Sequence, residues 1–214
     1  YASGAVAFDD VFRLVQARAV YHQEAVSLGA GAMAAIIGMD DEAVESICAE
    51  VNNPRELVAV AIHNALAQVV VSGHTGAVEK VMRAAKQKGA MTTVRLPISV
   101  PCHCRLLQSA ADRFAEKLAD IGFHDFTAPV IPNCDPEVFY TRENARELLC
   151  RQIVSPVKWR QTVEKMAALG VETIVEIGPK RTLCGLIKRI SKKMQLYSVE
   201  DVASLYKTAE ALAV

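Results

Sequence analysis

An α/β fold is predicted from three observations. Short apolar runs alternate with segments of helical periodicity along most of the 214 residues. One stretch, 29–101, reads as a complete βαββαβ unit. Hydrophobic residues make up 51% of the chain and charged ones 22%, enough apolar material for a sizeable core without the charge excess of disordered sequence.

The first helix is expected from Phe8, followed by Asp9 as N-cap, to about Val26. At 100° per residue Val11, Leu14, Val15, Arg18, His22 and Ala25 share a side, opposite Arg13, Gln16, Gln23 and Glu24. Arg18 therefore points inward. Between Gly29 and Pro101 follow a strand (AMAAIIG), a helix with an acidic start (DDEAVESICAEV) and two strands (LVAVAI, QVVVSG). A second helix (AVEKVMRAAKQKG) and a last strand (TTVRLPISV) complete the segment. That order is the split βαβ, ferredoxin-like arrangement of one sheet with two helices on one face.

Beyond it, Leu107, Ala110, Ala111, Phe114 and Leu118 recur at helical spacing, with Gly122 placed to end the helix. TAPVIPN is expected as a short strand and residues 142–153 as a helix whose Ala145, Leu148, Leu149 and Gln152 share a face. Ser155 and Pro156 read as N-cap and first position of the helix through WRQTVEKMAALG. VETIVEIGP reads as a strand ending in a Gly-Pro turn, and LCGLIKRIS as the start of the next helix. The tail from about Lys192 carries no decisive pattern. The layout expected is a large α/β subdomain, 1–28 and 102–214, interrupted by a small one, 29–101, with a binding cleft between them.

Charge and composition exclude several classes. With 24 Lys+Arg against 24 Asp+Glu there is no basic footprint for nucleic acid or an anionic membrane surface. No apolar run approaches the roughly 18 residues of a membrane span. Six cysteines, at 48, 102, 104, 134, 150 and 184, are thinly spread and no secretory h-region opens the chain, which points to a reducing, cytoplasmic compartment.

Chemistry concentrates at few positions. His103 follows a strand and Pro101 at the border between insert and main body, where a general base with an ordinary pKa near 6.5 would sit; a capping loop histidine is the alternative. Arg18 on an apolar face must be met by a carboxylate or by carbonyls; a ligand's carboxylate is one candidate partner, and an internal salt bridge to an Asp or Glu is the alternative. Gln152 either closes a pocket and orients a histidine or is satisfied by backbone. Cys102 and Cys104 flank His103, but no second Cys/His pair completes a zinc site, so no metal is expected. A cysteine adjacent in sequence to its own base is poorly placed to share a proton with it. Asn64, after His63 and four residues before Gln68, reads first as a turn amide.

GAMAAIIG, NALAQVVVSG, LPISVPCHC, LLCRQIVSPVKW and EIGP followed by LCGLIKRI resemble, in order from Tyr1 to about Ile190, the matching segments of bacterial malonyl-CoA:acyl-carrier-protein transacylases. The resemblance implies an α/β-hydrolase-like core with a ferredoxin-like insert. It also implies ping-pong transfer of malonyl from coenzyme A to the phosphopantetheine thiol of acyl carrier protein, with no cofactor beyond the thioester substrate. It implies His103 as base, Arg18 as the holder of the malonyl carboxylate, Gln152 beside the catalytic pair and Asn64 at the substrate.

The family's serine stands in a G-H-S-x-G elbow, and no serine of this chain has glycine at both −2 and +2. The nucleophile is therefore expected upstream of Tyr1 and the chain alone is expected not to turn over. The alternative is a non-catalytic remnant that binds acyl-CoA or acyl carrier protein. A further alternative makes the βαββαβ segment an effector-binding module.

The other departures are Cys102 for the usual Ser, His22 for a common Met, Ala-Leu-Ala for Ser-Pro-Gly between Asn64 and Gln68, and Lys180 for Gly. Cys102 and His22 are expected to border the acyl pocket, which leaves malonyl and substituted malonyl both open. Lys158, Arg160, Lys188 and Arg189 are basic candidates for an acidic carrier helix, or a solvated face.

Overall fold

In the computed structural model, which describes residues 1–213, the alternating apolar pattern becomes a mixed α/β architecture in two compact units. One runs from Tyr1 to Trp159 and the other from Arg160 to the end of the described residues.

The first unit opens with helix α1 (Phe8–Ala25). Then come β1 (Gly31–Ile37), α2 (Asp41–Val51), β2 (Val58–Ala65), β3 (Gln68–His74), α3 (Thr75–Gln87) and β4 (Thr92–Arg95). The four strands form one antiparallel sheet in the order β2-β3-β1-β4, the ferredoxin-like arrangement expected from βαββαβ. Period-two alternation gives the sheet two apolar faces. Ala32, Ala34, Ile36, Val58, Val60, Val69 and Val71 pack with Val44 and Ile47 of α2 and Val78 and Val81 of α3. From the other face Met33, Ala61 and Val70 meet Leu96 and Cys102, which seats the chain segment after β4 on the sheet.

A 3-10 turn (Arg105–Leu107) leads into α4 (Gln108–Ala119), and α5 (Ala145–Val154) follows after an irregular stretch. Leu14 of α1, Leu107, Ala110, Phe114 and Leu118 of the turn and α4, and Ala145 and Ile153 of α5 form a second core.

The second unit holds most of α6 (Trp159–Ala168), then β5 (Thr173–Ile177), α7 (Thr182–Ile190), β6 (Gln195–Val199) and α8 (Val202–Leu212), with β5 and β6 parallel. The Glu176 carboxylate accepts from the N–H groups of Leu183 and Cys184 at 2.9 and 2.8 Å, satisfying otherwise orphaned donors at the start of α7. A reciprocal Asp201–Ser204 capping box starts α8.

Several local expectations are corrected. TAPVIPN forms no strand, because Pro129 and Pro132 bring no N–H to a ladder; the stretch is tied instead by Tyr140 N–H donating to Val130 O at 2.9 Å. Ser155 and Pro156 do not open a helix. Val157 pairs in parallel with Ile62 of β2, exchanging bonds with Ala61 O and His63 N–H at 2.8 Å, and α6 waits until Trp159. The final strand of the insert stops at Arg95, two residues before Pro97. α1 starts at Phe8, with Ala7 in the cap position and Asp9 and Asp10 inside the first turn, where their charge suits the helix dipole. Val15, expected on the inner side of α1, is 62% exposed. Residues 195–212, without a decisive pattern in the sequence, hold β6 and α8. Asn64 lies inside β2, and the turn falls at Leu66 and Ala67.

Two of the sequence departures have a backbone counterpart. Ala67 and Lys180, at positions where the resemblance implies glycine, both take left-handed conformations, with φ of 53° and 68°.

Candidate functional site

The loop that carries His103 is built by short-range bonds. Cys102 N–H donates to Val100 O at 2.9 Å, Cys104 Sγ–H to Pro101 O at 3.2 Å, and Leu107 N–H to Cys104 O at 3.0 Å. Within this tight turn His103 adopts φ 59°, an uncommon conformation for a side chain that is not glycine and one often found at functional sites. The imidazole Nδ1 lies 2.8 Å from the backbone oxygen of Gln152 on α5. A carbonyl oxygen can only accept, so Nδ1 carries the proton and Nε2 presents its lone pair. Burial pushes the His103 pKa below the ordinary 6.5 and nearby Arg18 adds to this, against the backbone carbonyls of Gln152 and Ser155. The ring is a neutral base at physiological pH.

Arg18 and His22 stand four residues apart on α1, hence on one side of the helix. Arg18 Nε is buried without a hydrogen-bond partner among the described residues. Burial lowers the Arg18 pKa, and no Asp or Glu among the described residues is a cause of its shift. The internal salt bridge that the sequence leaves open is not formed among the described residues. His22 is 6% exposed and its Nε2 is also without a partner. Burial, Arg18 and His103 push its pKa down to about 4. Burial raises the Cys102 pKa, more than Arg18 lowers it, so the thiol stays protonated.

Gln152 reaches the same place through its side chain, whose Nε2 donates to the Tyr140 hydroxyl at 3.2 Å. Tyr140 was not legible in the sequence, since it sits in the irregular stretch mistaken in part for a strand. Tyr140 is half-buried, its phenol pKa pushed up to about 12 chiefly by desolvation, and its ring stacks on Phe126. A cavity of about 510 Å³, walled by Leu14, Val15, Phe114 and Tyr140, has Arg18 and Gln152 in its lining; His22, Cys102 and His103 stand outside that lining.

The structure thus brings Arg18, His22, Cys102, His103 and Gln152 together. Asn64 is not joined to them by any hydrogen bond among the described residues; it is linked indirectly, through the pairing of Ile62 with Val157 five residues after Gln152. Its neighbour His63 engages Asp41 of α2, with Nδ1 2.9 Å from Oδ2. Among the described residues no three His, Cys, Asp or Glu side chains are grouped to hold a metal ion, and no helix is long and apolar enough to cross a membrane.

Comparison with known proteins follows the same lines. The family described as "Acyl transferase domain" matches residues 1–212. The malonyl CoA-acyl carrier protein transacylase of Escherichia coli K12 is 40% identical over 208 residues, covering 97% of this chain and 67% of that protein. The Bacillus subtilis protein of the same name is 35% identical over 211 residues, covering 99% and 67%. The solved malonyl CoA-acyl carrier protein transacylase of Coxiella burnetii superposes with a TM-score of 0.94 at 37% identity, over 99% of this chain and 67% of that one. A malonyl-transacylase solved in complex with a type II PKS acyl-carrier protein gives a TM-score of 0.94 at 40% identity, over 98% and 67%. The chain spans about two thirds of the length of each of these proteins.

Proposed function

Because the chain belongs to the acyl transferase domain family, alongside the malonyl-CoA–acyl carrier protein transacylases, we propose that its residues serve the transfer of a malonyl group from malonyl-CoA to the phosphopantetheine thiol of acyl carrier protein. The setting is fatty acid or polyketide synthesis. The reaction runs in two halves through an acyl-enzyme. The nucleophile of this chemistry is an elbow serine, and no serine of residues 1–214 has glycine at both −2 and +2.

His103 is the general base, and the observation that carries the reading is its bond to Gln152 O, which leaves Nε2 free to take a proton from serine and return it to the leaving thiolate. Arg18 is the carboxylate clamp. Among the described residues its guanidinium has no carboxylate partner, so a malonyl acid supplies the missing charge, whereas an acetyl group would leave it unpaired. Gln152 holds the base by its carbonyl and Tyr140 by its amide. Cys102 and His22 border the acyl pocket, and Asn64 is a substrate contact offered by the end of β2.

The same reading takes residues 29–101 as a small subdomain set into a large one of 1–28 and 102–214. It needs no cofactor beyond the coenzyme A thioester and no metal, and it places the protein in the cytoplasm. The test is transfer of labelled malonyl from malonyl-CoA to holo-acyl carrier protein by the polypeptide that includes the elbow serine. Labelled carrier protein supports the reading. Binding of malonyl-CoA with no transfer would favour the non-catalytic alternative.

A further inference from the structure

Resting on the malonyl reading above, we infer that His22 is the second point of a two-point carboxylate clamp, its Nε2–H donating to the same acyl carboxylate that Arg18 holds. Two buried polar atoms one helical turn apart, Arg18 Nε and His22 Nε2, have no partner among the described residues. Each such atom costs free energy until it is met, and a ring only 6% exposed cannot turn to water for it.

Arg18 Nε can only donate, and His22 Nε2 donates in one of its two neutral tautomers. A single group that answers both is rich in acceptors and small, and a carboxylate, with two oxygens and about four lone-pair sites, fits that description. The resemblance to the transacylases implies a common methionine at the position where this chain has His22. A thioether needs no partner in an apolar site, so the imidazole contributes a donor where methionine contributes only volume.

The ring is also suited to sit beside a guanidinium. Burial and the neighbouring charges keep it uncharged at physiological pH, so it adds a donor without placing a second cation next to Arg18. The bound acid selects the Nε2–H tautomer. An acyl group without a carboxylate leaves both atoms unmet, so discrimination against acetyl comes from two contacts instead of one.

The experiment is calorimetric titration of the wild-type protein and its His22→Met, His22→Gln and Arg18→Ala variants with malonyl-CoA and with acetyl-CoA. It is joined by a ring-nitrogen NMR spectrum of the wild type with and without malonyl-CoA. His22→Met is expected to weaken malonyl-CoA binding roughly tenfold to a hundredfold, as for a lost donor to a charged acceptor, with acetyl-CoA affinity retained. His22→Gln, which keeps an N–H donor, recovers most of that loss. In the wild type the His22 Nε2 signal moves to the protonated, neutral-ring position when malonyl-CoA binds.

If His22→Met binds malonyl-CoA as the wild type does while Arg18→Ala does not, the His22 contact is refuted and the Arg18 clamp stands. If neither substitution matters, the malonyl reading itself falls. Should His22→Met fail to fold, the ring-nitrogen spectrum decides alone, and an unmoved Nε2 signal at saturation overturns the inference.

Discussion

The Nδ1–H of His103 donates to the backbone oxygen of Gln152 at 2.8 Å, so the tautomer of the imidazole is set by the main chain of a helix 49 residues further on. The side chain of Gln152 is not the orienting group; its amide points to Tyr140. This separates two variants. His103→Ala removes the proposed base and is expected to lower malonyl and acetyl transfer together, by about 10²- to 10⁴-fold. Gln152→Ala keeps the carbonyl and is expected to cost roughly tenfold, in line with one neutral hydrogen bond. Steady-state rates with both acyl-CoAs check the ranking, and a Gln152→Ala enzyme as damaged as His103→Ala would contradict it.

The pH profile follows from the same geometry. The base acts when Nε2 is unprotonated, and burial and Arg18 place its pKa below 6.5. The acid limb of kcat/KM is therefore expected below pH 6.5, with activity lost as pH falls through the lowered value. Removing the Arg18 charge makes protonation easier, so Arg18→Ala should move the limb to higher pH. His22 adds a stability effect of the same sign. Its folded pKa of about 4 lies below the unfolded 6.5, the unfolded chain binds more protons in that window, and stability is present above pH 6.5 and declines towards pH 4. Thermal melts across this range should show a shallower decline for His22→Met.

Backbone positions give a third set of expectations. A Cβ on Gly31 would stand 2.4 Å from Pro101 Cδ, two residues before His103. Gly31→Ala should therefore lower stability by about 1–3 kcal/mol, as overpacking does, and lower kcat by displacing the base. Ala67→Gly relieves a left-handed alanine at φ 53° and should raise stability by roughly 1 kcal/mol. Melting temperatures and kcat for the two variants read these opposite signs.

Much of this was legible because it rests on local pattern. Periodicity placed Arg18 and His22 on one side of α1, and the alternation of strands and helices over 29–101 gave the four-stranded sheet. What the sequence hid depends on contacts distant along the chain. Val157 becomes extended because β2 receives it, although Ser155-Pro156 reads locally as a helix start. Tyr140 joins the site through an irregular stretch with no period to detect. Spacing alone does not tell whether an Asp or Glu folds onto Arg18; among the described residues of the packed structure none does.

The proposed reading of the acyl carboxylate by Arg18 is checked by the ratio of malonyl-CoA to acetyl-CoA affinity in the wild type and in Arg18→Ala. A charge-assisted contact predicts that the wild type favours malonyl-CoA by roughly tenfold or more and that the variant loses that preference while keeping its affinity for acetyl-CoA. An unchanged ratio in a folded Arg18→Ala protein would contradict the account.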